Sequence, residues 1–108
     1  MNPNKEMEKT LFQIIASSGE SKSKVFEALE AYQKGDNKAK NRLLKESEEL
    51  LAEANKSLFG LVKKEVNGEK IPFSILLIHS CDILMSTVTV RELITKLTEK
   101  GDVCDNDK

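Results

Sequence analysis

The stretch Ile71-Pro72-Phe73-Ser74-Ile75-Leu76-Leu77-Ile78-His79-Ser80-Cys81-Asp82-Ile83-Leu84-Met85 carries more apolar side chains than one face of a helix accommodates, and its reading decides the architecture. Apolar residues recur three and four apart instead of alternating, so the segment reads as helix and not strand. Pro72 suits a first turn, where its missing N–H costs nothing, and the helix is expected to stop at Lys100-Gly101. The seam expected to face the chain's own core is Ile75, Ile78, Asp82, Met85, Val88 or Thr89, and Leu93, with Ile94 and Leu97 flanking it. Leu76, Leu77, Ile83 and Leu84 lie outside that seam. A helix apolar nearly all round demands burial nearly all round. The single chain is therefore expected to be incomplete, and a symmetric homo-oligomer completes it.

Working back from this stretch, Met7, Leu11, Ile14, Ser18, Ser21, Val25, Ala28 and Tyr32 form a three-four seam of more than three heptads, which is a first long helix. Asn2-Pro3 marks its start and Lys34-Gly35-Asp36 its stop; Ser17-Ser18-Gly19 in the middle invites a bend. Asp36 or Asn37 caps a second helix with the stripe Leu44, Ser47, Leu51, Ala54, Leu58, Leu61, ending at Asn67-Gly68. Short connections make neighbouring helices antiparallel, so the expected fold is all-α, an up-down-up three-helix bundle. Residues 1–101 form one domain, and the acidic residues 102–108 are expected as a frayed, disordered tail.

The chain has 108 residues, with 17 basic and 18 acidic side chains interspersed, so nothing in its charge calls for nucleic acid or an anionic membrane. The apolar run from Ile71 to Met85 is too short to span a bilayer and is broken by His79 and Asp82. The charged start, Met1-Asn2-Pro3-Asn4-Lys5-Glu6, does not read as a signal peptide, and a cytoplasmic protein is expected. Cys81 and Cys104 sit in unlike contexts and read as free thiols. The lysine-rich stretches, including Lys38, Lys40, Arg42 and Lys45, read as solvated faces, and Ser18 and Ser21 as small packing residues.

With one histidine, any imidazole chemistry passes through His79. Asp82 stands three residues on, one turn along the same face. A carboxylate in apolar surroundings is costly unless paired or metal-bound, and symmetry copies brought together cannot all stay ionised without a cation. The plain alternatives are a satisfied boundary histidine, a hydrogen-bonded interface aspartate, and a Cys81 that is a small buried hydrophobe.

Over residues 6–100 the chain resembles the IIA component of the lactose/cellobiose type of sugar phosphotransferase system. The resemblance rests on Phe12-Gln13-Ile14-Ile15-Ala16, Gly19-Glu20-Ser21-Lys22-Ser23, Glu27-Ala28-Leu29, Lys34-Gly35-Asp36, Ala52-Glu53-Ala54, Glu65-Val66-Asn67-Gly68 and, above all, Leu77-Ile78-His79-Ser80-Cys81-Asp82-Ile83-Leu84-Met85. It implies a homotrimer of nine helices. It implies that His79 accepts phosphate from the phosphocarrier HPr as a tele-phosphohistidine and passes it to a cysteine of a IIB component working with a membrane IIC component. It also implies that Asp82, once per subunit, holds one Mg2+ on the trimer axis. The family pattern has a His and a Gln where this chain has Asn55 and Leu58, and a Gln and a His where it has Cys81 and Ile83. With the resemblance taken up, Asn55 and the Ser80 hydroxyl are expected as donors to the phosphoryl group, and Asn55, Leu58, Ser80, Cys81 and Ile83 as the lining. Phe59 and Ile83 are expected to form a surface that docks the donor and acceptor. The rival expectation is a transfer-deficient trimeric bundle acting as a regulatory or scaffolding protein.

Overall fold

The computed structural model describes the backbone of residues 3–106 and the side chains of residues 5–99. Three helices, α1 (Pro3–Gln33), α2 (Asn37–Val66) and α3 (Ile75–Asn106), make up the architecture, with no strand among the described residues. Both connections are built on local chemistry. Gly35 turns the chain at φ 82°, and the Asp36 carboxylate then accepts from the Ala39 amide at 3.1 Å, capping α2. Asn67 ends α2, and Gly68, at φ 96°, completes the left-handed exit. The α3 cap is not Pro72: Ser74 Oγ accepts from the Leu77 amide at 3.0 Å, so Ile71 to Phe73 stay outside the helix. A hydroxyl that satisfies an orphan amide outweighs a proline that merely leaves one fewer amide to satisfy.

The first helix is the spine on which the other two pack. Its expected seam is borne out from Leu11 to Ala28, all buried, including Ser18 and Ser21, and Ser17-Ser18-Gly19 does not interrupt the helix. The interior divides into two apolar clusters. Leu11, Ile14, Leu51, Ala54, Leu61 and Leu84 form one, and Val25, Ala28, Leu43, Leu44 and Ile94 the other. Between them lies a waist of buried hydroxyls. Ser21 Oγ donates to the Ser47 carbonyl at 2.8 Å, Ser47 Oγ to the Leu44 carbonyl at 2.7 Å, and Thr87 Oγ1 to the Ile83 carbonyl at 2.7 Å. Arg91 reaches from α3 into this waist, donating to Ser47 Oγ at 3.0 Å, the Leu44 carbonyl at 3.3 Å and Glu48 Oε2 at 2.9 Å. Small side chains let the helices approach, and the hydroxyls of Ser21, Ser47 and Thr87 are satisfied by carbonyls, while the buried Ser18 hydroxyl beside them has no partner among the described residues.

Three expectations are corrected. First, the α3 face turned into the chain is not the Ile75, Ile78, Asp82, Met85, Leu93 seam; it is Ser80, Leu84, Thr87, Ile94 and Thr98, while the expected seam is exposed except at Val88. The hydroxyls of Ser80, Thr87 and Thr98 bond to α3's own carbonyls, which makes them acceptable interior residues that hydrophobicity overlooks. Second, α3 does not stop at Lys100-Gly101 but runs to Asn106; residues 107 and 108 lie outside the described residues. A glycine without a following proline costs a helix only about 1 kcal/mol, which does not compel a stop. Third, Lys40 is buried and partnered instead of solvated.

Candidate functional site

Two flanks of α3 are identified by what they touch. A Cβ placed on Gly19 of α1 would lie 3.9 Å from Ile83 Cδ1, and Lys22 Nζ of α1 donates to Ser86 Oγ at 3.0 Å, so this flank faces α1. Val88 and Arg91 share a crevice with Glu48, Leu51, Ala52 and Asn55, so the other flank faces α2. His79 stands four residues before Ile83 and belongs to the α1 flank; Cys81 stands seven before Val88 and belongs to the α2 flank.

His79 and Asp82 are both exposed, one turn apart, on the outer side of α3. Neither forms a hydrogen bond or an ion pair among the described residues. Around them on the same outward side stand Ile75, Ile78, Met85, Leu93 and Leu97, all exposed. The imidazole is thus open to a reacting partner, and the carboxylate sits uncompensated in an apolar strip. Among the described residues no three His, Cys, Asp or Glu side chains come together to hold a metal ion, so Asp82 in one chain is a single ligand. The carboxylate suits a hard cation such as Mg2+, provided that further copies supply the remaining oxygens.

The other expected site residues divide. Ser80 is buried, and its hydroxyl donates to the Leu77 carbonyl at 2.8 Å, so it is a core residue and not a donor facing the site. Ile83 is half-buried against α1. Asn55 is exposed on α2, Leu58 is half-buried against the first apolar cluster, and Cys81 is a half-buried free thiol. Asn55 and Leu58 therefore do not gather around His79 within one chain. Nor do Phe59 and Ile83 make one docking surface, because they lie on opposite flanks of α3. A groove of about 730 Å³ surrounds Phe59 instead, lined by Ala52, Asn55, Lys56, Gly60 and Lys63. Sequence reading singled out Phe59 but missed Lys56 and Lys63, whose signal is their three- and four-residue spacing about it, and Gly60 directly after it. It also missed Arg91, the clasp between α2 and α3, which registered only as one more charge.

Among the described residues no helix is long and apolar enough to cross a membrane. A profile of the family "PTS system, Lactose/Cellobiose specific IIA subunit" matches residues 9–100. The lactose-specific EIIA component of Lactococcus lactis subsp. lactis is 36% identical over 88 residues, covering 82% of this chain and 84% of that protein. The lichenan-specific phosphotransferase enzyme IIA component of Bacillus subtilis (strain 168) is 33% identical over 96 residues, covering 89% and 87%. Among solved structures, the cellobiose-specific enzyme IIA of Bacillus anthracis superposes with a TM-score of 0.85 at 30% identity, covering 93% of this chain and 92% of that one. The IIA(chitobiose) chain solved in complex with HPr from Escherichia coli superposes with a TM-score of 0.72 at 28% identity, covering 91% and 95%. Matched along nearly its whole described length, with a histidine laid open on the outer side of its third helix, the chain belongs to the lactose/cellobiose-specific IIA family of the sugar phosphotransferase system.

Proposed function

We propose that the chain is a phosphohistidine carrier, the IIA component of a sugar phosphotransferase system. It takes phosphate from HPr on His79 and passes it to a IIB cysteine, serving a membrane IIC component that imports a lactose/cellobiose-type disaccharide or β-glucoside. The observation that carries this reading is the placement of the chain's one histidine: exposed, without a partner among the described residues, on a helix held rigidly from behind. HPr is named as donor because the IIA(chitobiose) relative was solved in complex with it. A cytoplasmic setting follows from exchange with such phosphocarriers.

A neutral imidazole offers the Nε2 lone pair without prior proton removal. On loading, a bond forms between Nε2 and phosphorus while the donor's N–P bond breaks, its electron pair returning to the donor ring. On unloading, the acceptor thiolate sulfur bonds to phosphorus and His79 departs as neutral imidazole. Transfer of this kind depends on in-line positioning more than on proton chemistry. Positioning is what the fold supplies: Gly19 against Ile83 and Lys22 on Ser86 hold the α1 flank of α3 on which His79 stands.

The exposed apolar strip of α3 supports assembly as a homotrimer through this face, nine helices in all. The Asp82 carboxylates, one from each subunit, would hold one Mg2+, and the ion would supply the positive charge that lets them stay ionised side by side. In such an assembly a neighbour's α2 can present the exposed Asn55 toward His79, which its own α2 does not, while Leu58 stays packed against its own subunit's first apolar cluster.

The experiment is incubation with phosphoenolpyruvate, the general phosphotransferase enzyme and HPr, followed by intact-mass analysis. An acid-labile gain of one phosphoryl group that disappears in His79→Ala supports the carrier reading. No gain in the wild type refutes it and leaves the scaffolding role.

A further inference from the structure

The groove around Phe59 contains a residue that the chain's own fold does not explain. Gly60 lies inside α2, exposed, and a Cβ placed on it would meet nothing within 4 Å. Glycine in a helix interior is destabilising relative to alanine, and it is tolerated where another backbone approaches closely. Gly19, by contrast, has Ile83 beside it. The dent left at Gly60 adjoins the exposed Phe59 ring, whose face is covered by Lys63 Nζ at 5.5 Å from the centroid. Lys56 stands on the other side. No carboxylate lines the groove, and neither lysine forms an ion pair among the described residues. Lys56 and Lys63 are seven residues apart, about 10 Å along the helix axis.

We infer that this groove on α2 is a docking site for a protein segment with an apolar side chain set between two carboxylates about 10 Å apart, matching the helical rise over seven residues. The apolar side chain packs on Phe59, the carboxylates engage Lys56 and Lys63, and the segment's backbone passes over Gly60. Desolvated aromatic anchors inside a charged rim are the usual energetic centres of protein interfaces. Cationic rims select acidic partners chiefly through encounter rate and salt dependence. A membrane surface is disfavoured because Glu49, Glu53 and Glu65 punctuate the exposed part of the same helix. The groove shares Asn55 with the surface that the trimer reading turns toward a neighbour's His79, so the inference concerns the part from Lys56 to Lys63 and is read by peptide binding, which does not require phosphorylation of His79.

The probe is a helical peptide with Glu, Leu and Glu at positions i, i+4 and i+7, alongside a version with Lys in place of Glu, titrated into the isotopically labelled full chain. Expected are amide shifts confined to residues 52–63, binding of the acidic peptide only, and a tenfold or greater loss of affinity on raising salt from 50 to 500 mM. Lys56→Glu with Lys63→Glu should invert the preference to the basic peptide. Gly60→Ala should raise the melting temperature by about 4 °C, as expected when a helix-interior glycine gives way to alanine in a domain of this size, while weakening peptide binding several-fold. Gly60→Leu should abolish binding with helicity retained. Equal binding of both peptides, shifts centred on the outward face of α3, unaltered affinity in both Gly60 variants, or lysine-dependent binding to anionic phosphatidylglycerol vesicles in place of the peptide would each overturn the proposal.

Discussion

Replacing Leu93 by aspartate tests the proposed assembly, on which a shared Asp82 site would depend. The side chains Ile75, Ile78, Met85, Leu93 and Leu97 retain 82, 50, 59, 57 and 56% exposure in the single chain. At about 1.5–3 kcal/mol for full burial of a large aliphatic side chain, covering these remainders is worth roughly 5–9 kcal/mol per chain. Three chains together gain roughly 15–27 kcal/mol, against an association cost of about 4–15 kcal/mol for each of two joining events. The two sums are comparable, so a single lost ring of contacts decides the outcome. Leu93→Asp removes roughly 1–2 kcal/mol per chain, or about 3–5 kcal/mol per trimer, which lowers the assembly constant about 10²- to 10⁴-fold before any charge is counted. Each introduced carboxylate adds a desolvation cost of several kcal/mol. Sedimentation at about 20 µM is the assay: wild type and Leu93→Met should run at three times 12.1 kDa, and Leu93→Asp as a helical monomer. A monomeric wild type, or a Leu93→Asp variant that stays trimeric, would refute the reasoning.

Asp82→Asn should assemble at least as well as wild type in EDTA, because it removes the carboxylate repulsion, while Mg2+ should raise the melting temperature of the wild type only; equal Mg2+ shifts in both proteins would sink the shared site. Arg91→Met keeps the aliphatic stem but loses the bonds to Ser47, the Leu44 carbonyl and Glu48, and should cost about 1–2 kcal/mol in chemical unfolding at fixed protein concentration. Glu48→Gln should cost under about 0.5 kcal/mol, since that pair is solvent-facing; a larger loss than in Arg91→Met would contradict the interior clasp. The Lys24 ammonium, hydrogen-bonded to Glu46, with Arg42 adding to it, holds the Glu46 carboxyl below its ordinary value of 4.5, although partial desolvation opposes them. A carboxylate whose folded-state pKa is depressed stabilises the fold above the unfolded value and loses that contribution as pH falls through the folded one. The stability difference between wild type and Glu46→Gln should therefore favour the wild type at pH 7 and shrink on acidification below about pH 4.5; a difference independent of pH between 7 and 3 would remove the ion pairs as its cause.

The helices of this protein were legible because each is announced locally. The seam from Leu11 to Ala28, the Asp36 cap and the Asn67-Gly68 exit are properties of short segments, and each was readable before any packing was known. The start of α3 was less legible because Pro72 and Ser74 both favour helix entry, and only the hydrogen bond to the Leu77 amide distinguishes them. Its far end was misread because Gly101 permits a stop without requiring one. At the site, His79 and Asp82 share a face by spacing alone. The sequence could not show that Ser80, adjacent to His79, turns its hydroxyl back to Leu77, that Asn55 lies by the opposite flank of α3, or that Leu58 packs against the first apolar cluster.

What the sequence determined by itself was therefore the all-α plan, the surplus of apolar surface on the third helix, and the identity of the one imidazole able to carry a group. What only the tertiary structure decided was which side of α3 turns inward. Hydrophobicity favours the Ile75 to Leu93 seam, but Ser80, Thr87 and Thr98 satisfy their hydroxyls on α3's own carbonyls and are small enough to let α3 lie close against α1. Close packing, with the hydroxyls of Ser80, Thr87 and Thr98 satisfied on α3 itself, outweighs the larger side chains within one chain. The larger side chains are thereby left facing outward, on the same side as His79 and Asp82.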